Sequence, residues 1–143
     1  MVLSEKFQDP QVQAQIAQDC AQLMDQQVAR KTGLGGLAIK AAYTALKGIG
    51  PNYVPRAIHG LLPQALVAMD PMWQVGVQTG DPVAHLSQNP AQTAEILLSV
   101  TDNKIKNAQN KIVIATYKKV RNSVKGDVEQ AVPGLAQIIA QYS

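Results

Sequence analysis

The chain has 143 residues, 46% of them hydrophobic and 16% charged, with a formal net charge of +3. That balance excludes an intrinsically disordered chain, and the length suits a single domain, residues 1–143, able to bury a core without covalent staples. Cys20 is the only cysteine, which excludes an intrachain disulfide and a cysteine-rich metal site.

In chain order, the opening MVLSEKFQDP carries Glu5 and Asp9 where a secretory signal would need a basic and then an apolar region. The cytoplasm is therefore the expected compartment. Asp9-Pro10 pairs a capping carboxylate with a proline at the first helical position, where its missing N–H costs nothing. Val12, Ile16, Cys20, Leu23, Met24 and Val28 then recur at helical spacing opposite a glutamine-rich face, predicting an amphipathic helix over 10–31. Cys20 falls in the apolar stripe and reads as a buried structural thiol.

The stretch KTGLGGLAIKAAYTALKGIGP, residues 31–51, is apolar almost all round, with Lys40, Thr44 and Lys47 on one narrow stripe. Such a helix belongs in a core, so residues 34–47 are expected to form the central helix, entered through Thr32 and closed by Gly48. Its two lysines also break the nearest approach to a membrane span of about 18 apolar residues, and no transmembrane segment is expected. Val54, Ile58, Leu61, Leu62, Ala65, Leu66 and Met69 follow at buried-face spacing, interrupted by Pro63, which predicts a kink or break near 60–63. Leu37, Ile39, Leu46, Ile58, Leu61, Leu62, Leu66 and Ile138 are the expected core.

Asp70-Pro71, Asp81-Pro82 and Asn89-Pro90 repeat the start signal seen at Asp9-Pro10, predicting short helices from each. Residues 102–125 alternate basic and apolar side chains at helical period up to a stop at Gly126, and a short helix follows Pro133. No stretch alternates at period two for long enough to make a strand. The expected architecture is all-α: one compact bundle of about six to eight helices around the central apolar helix at 34–47.

Charge is distributed unevenly. Residues 57–103 hold no lysine or arginine, while 104–125 hold seven basic residues and no acid. On one helix, Lys104, Lys111, Lys118 and Lys125 would form a stripe stepping about 10 Å along the axis, flanked by Lys119 and Arg121. These six are the candidate residues for an anionic partner: a lipid surface, polyphosphate or an acidic protein. Nucleic acid is disfavoured, because Tyr117 is the only aromatic residue in the basic region available for stacking.

Other features carry less. Gly33, Gly35 and Gly36 precede a helix but match neither a P-loop nor a dinucleotide fingerprint, and no strand leads into them; a left-handed turn or close helix approach explains them better. His59 and His85, with Asp70, show no metal-ligand or acid–base spacing, and no serine has a nucleophile context. No enzyme, metal or cofactor is expected.

The strings KTGLGGLAIKAAYTALK (31–47), GLLP (60–63), MDPMW (69–73), LLSVTD (97–102), YKKVR (117–121) and AVPGL (131–135) together resemble a family of small uncharacterised helical proteins from cyanobacteria and actinobacteria, classed as a domain of unknown function. The resemblance implies a soluble bacterial helical domain and brings no functional residues with it. Two functional readings follow from the residues. The first is a non-enzymatic interaction module using 104–125. The second is a carrier holding an apolar small molecule or lipid between the central helix and the Pro63-interrupted helix. A homo-oligomer is compatible with either.

Overall fold

The computed structural model describes residues 3–143, with the side chains of 34 and 35 left out. Among the described residues there are eight helices and no strands: α1 (Leu3–Lys6), α2 (Pro10–Ala29), α3 (Gly33–Lys47), α4 (Tyr53–Thr79), α5 (Pro82–Gln88), α6 (Pro90–Lys106), α7 (Lys111–Val120) and α8 (Lys125–Tyr142). The all-α expectation holds.

The centre of the bundle is α4, not α3. Leu62, Leu66, Met69, Met72 and Trp73 of α4 are buried in the main core with Ile16 of α2, Leu86 of α5, and Val132 and Ile139 of α8. α4 packs on α1, α2, α3, α5 and α6. α3 lies at the periphery, against α7, α2 and α4, and its Leu37 is 66% exposed. Ala38, Ala41 and Ala45 are exposed as well. Alanine made α3 look apolar all round, yet it has little surface to hide and sits on an outer face at small cost. Of the other expected core residues, Leu62 and Leu66 are buried, while Ile39, Leu46, Ile58, Leu61 and Ile138 are half-buried.

α4 runs continuously through Pro63 and Pro71, so of the expected kink or break near 60–63 the break does not occur, and the expected helix start at Asp70-Pro71 is corrected. Each proline removes one ladder bond, from the carbonyl four residues earlier. Both prolines are exposed, while their immediate neighbours Leu62 and Met72 are buried in the core and hold the helix on it across each proline. The helix ends at Gly80, whose φ of 103° is the left-handed conformation that glycine adopts freely. The start signals at Asp9 and Asp81 do work as caps: Asp9 accepts from the Gln11 N–H at 2.9 Å, and Asp81 from the Ala84 N–H at 3.0 Å. Asn89 occupies the N-cap of α6, but its side chain turns back to donate to the His85 carbonyl at 2.8 Å. Close packing of α4 on α5 depends on Gly76, where a Cβ would stand 2.4 Å from the Pro82 Cα.

The last helix is longer than expected. α8 starts at Lys125, so Gly126 is in its first turn, not at a stop, and Pro133 lies inside it on an exposed position. Buried Val132, Ala136 and Ile139 hold that helix on the core across the proline.

Three tyrosines tie helices together by donating to aspartates. Tyr142 of α8 reaches Asp19 of α2 at 2.6 Å, Tyr43 of α3 reaches Asp25 of α2 at 2.5 Å, and Tyr117 of α7 reaches Asp102 of α6. Each such bond is charge-assisted, which makes it stronger than a neutral hydroxyl pair.

Candidate anionic-partner surface

The basic region is not one helix. Asn110 accepts from the N–H groups of Ile112 at 2.9 Å and Val113 at 3.3 Å, starting α7 afresh after a loop at 107–110. A side chain that bonds the nearby backbone in this way competes with helix continuation. A second interruption at 121–124 separates α7 from α8. The seven-residue stripe therefore does not form: Lys104 is in the last turn of α6, Lys111, Lys118 and Lys119 are on α7, Arg121 caps the end of α7, and Lys125 opens α8.

Two of the six candidates are neutralised by acids just outside the window 104–125. Arg121 grips Asp102 with both forks, Nε to Oδ1 at 2.8 Å and Nη2 to Oδ2 at 2.9 Å. Tyr117 donates to the same Oδ1, and its hydroxyl lies 2.8 Å from that of Thr101. The Arg121 guanidinium, aided by Tyr117, holds the Asp102 carboxyl below the usual carboxylate range. Burial, then the bond to Asp102, pushes the Tyr117 phenol up. Lys125 pairs with Glu95 at 2.8 Å and lowers the Glu95 pKa. These contacts clamp α7 and the start of α8 onto α6; they are structural.

Lys111, Lys118 and Lys119 are different. They are exposed together on the outer side of α7 with Ile112 and Ala115, and no ion pair engages them among the described residues. Lys104 is also exposed and unpaired there, on the neighbouring α6. Lys118 and Lys119 sit in the last turn of α7, where positive charge complements the helix dipole.

The remaining candidates resolve as structure. Gly33 has φ +74°, the left-handed turn expected of it, and a Cβ on Gly36 would stand 2.8 Å from the Lys31 carbonyl carbon; Gly35 falls outside the described side chains. Asp70 accepts from Leu3 and Gln74, and His59 and His85 are half-buried on α4 and α5. Cys20 is buried, and that burial, with Asp19 adding to it, pushes its thiol up to about 12. A cleft of about 270 Å³ between α2, α3 and the start of α4 is lined by Gln18, Asp25, Tyr43, Lys47 and Asn52 among others. That lining is largely polar.

Sequence reasoning missed Asp102 and Glu95 as counter-ions and Leu37 and Ile112 as exposed apolar residues. The pair Asn107 and Asn110 was the legible signal for the break, since asparagine favours helix ends.

The chain belongs to a family of unknown function (DUF6918), which it matches over residues 3–143. No curated protein and no solved structure matches it. No described helix is long and apolar enough to cross a membrane.

Proposed function

We propose that this protein is a non-enzymatic interaction module that docks on an anionic partner through the outer face of α7. The observation that carries the reading is the set of three exposed lysines, Lys111, Lys118 and Lys119, without acidic partners among the described residues, while Arg121 and Lys125 are paired inward. Unpaired lysines on one face project positive potential, worth about 1 kcal/mol each near an anionic surface and confined to a Debye length of about 8–10 Å. Binding of a few kcal/mol, sensitive to salt, is the consequence. The proposal sets the protein in a bacterial cytoplasm, where anionic lipid headgroups, polyphosphate and acidic proteins are all present.

Co-sedimentation with anionic vesicles, and retention by polyphosphate, tests it at low and physiological salt. Wild type should bind at low salt and release as salt rises, and Lys111→Glu with Lys118→Glu should abolish binding while leaving the far-UV circular dichroism unchanged. Wild type that ignores vesicles, polyphosphate and nucleic acid at both salts would show α7 to be only a solvated face.

A further inference from the structure

We propose that the partner is an anionic bilayer, met by α3 and α7 acting as one unit, with Leu37 and Ile112 entering the lipid interface between the lysines. This rests on the reading of the α7 lysines as an anionic-partner surface and names the partner.

α3 and α7 pack on each other, and among the described helices α7 otherwise touches only α6. Together the two helices carry Lys40, Lys47, Lys111, Lys118 and Lys119 and no acidic residue. Among the described residues, Lys47 alone of these is in an ion pair, with Asp25 at 3.5 Å. The pair is therefore charge-complementary to an anionic surface.

Within that basic surround, Leu37 is 66% exposed and Ile112 is 52% exposed. Their exposed neighbours on the same helices include Ala38, Ala41, Ala45 and Ala115. Small neighbours let the two long aliphatic side chains stand proud. Leu37 also lines an open depression of about 510 Å³ together with Lys40, Lys31, Thr32 and Gly33. A soluble polyanion has no use for protruding leucine and isoleucine. A bilayer satisfies both features at once, because its headgroups take the lysines and its acyl boundary takes the aliphatic side chains.

The test places an environment-sensitive fluorophore on the full chain at Leu37→Cys, at Ile112→Cys, and at the exposed Val75→Cys on α4 as a control. Cys20 is buried, so only the surface thiol is labelled. With vesicles of equal parts phosphatidylglycerol and phosphatidylcholine, labels at 37 and 112 should brighten and shift to the blue, while the label at 75 should not. Leu37→Ser with Ile112→Ser should weaken vesicle binding by about tenfold or more and leave polyphosphate binding unchanged. Vesicle binding with no change at 37 and 112 overturns the insertion and leaves the lysine surface standing. Polyphosphate binding without vesicle binding overturns it in the same way. Binding to neither overturns the lysine surface as well.

Discussion

The Leu3 backbone N–H donates to Asp70 Oδ1 at 2.8 Å, across a sequence separation of 67. Asp70 therefore does cap a helix, but it caps α1 from the middle of α4. The contact seats Leu3 and Phe7, both fully buried, against the main core. A carboxylate at a helix N-terminus satisfies an orphan donor and complements the dipole.

Asp70→Ala should lose roughly 0.5–2 kcal/mol, the usual worth of a cap. Urea unfolding reads the loss, and amide exchange at residues 3–7 should accelerate more than exchange in α4. Unchanged exchange at the first helix would show that Asp70 does not hold it.

Gly76→Ala should destabilise by about 1–3 kcal/mol, because its Cβ would meet the Pro82 backbone and α4 could no longer approach α5. Gly60 lies on the same helix with nothing near a Cβ. Gly60→Ala should therefore stabilise by roughly 0.5–1 kcal/mol through helix propensity alone. Thermal unfolding of the two variants should shift in opposite directions.

The position of the core separates Leu66 from Leu37. Leu66 is fully buried on α4, and Leu66→Ala should cost on the order of 2–5 kcal/mol. Leu37→Ala, on the outer face of α3, should stay within about 0.5 kcal/mol of wild type. Denaturant midpoints decide; equal losses would return α3 to the centre.

Asp102 supplies a pH dependence of definite sign. Its folded pKa is depressed by Arg121 and Tyr117, so the native state takes up the proton less readily than the unfolded chain. The clasp contributes fully above the unfolded value of about 3.9 and is lost as pH falls through the folded value. The carboxylate is partly open to solvent, with 37% of its side-chain surface exposed, so the contribution is modest. Stability of wild type and Asp102→Asn, followed by urea unfolding across this range, should differ near neutrality and converge in acid.

What could be read from the sequence was local. The helix periods and the caps at Asp9 and Asp81 act within a few residues and appear as expected. Asp70-Pro71 carries the same dipeptide, but an exposed proline can sit inside a helix anchored by buried neighbours, and its aspartate serves a segment no local window contains. The lysine period of 104–125 was correct as spacing, yet Asn110 restarts the helix, and Asp102 and Glu95 neutralise Arg121 and Lys125 from outside the window. Alanine-rich α3 misled for a further reason: apolar composition does not say which side of a helix a body of protein will cover. Of the six candidate basic residues, only those on α7 share one exposed helical face.

The most direct measurement compares two variants of equal net charge. Lys118→Glu with Lys119→Glu reverses two lysines on α7, and Lys6→Glu with Arg30→Glu reverses two exposed cations on α1 and after α2. Co-sedimentation with anionic vesicles at low salt should be lost in the first and kept in the second, with wild type bound. Equal loss in both would mean that net charge alone drives association and that the outer face of α7 has no special part in it.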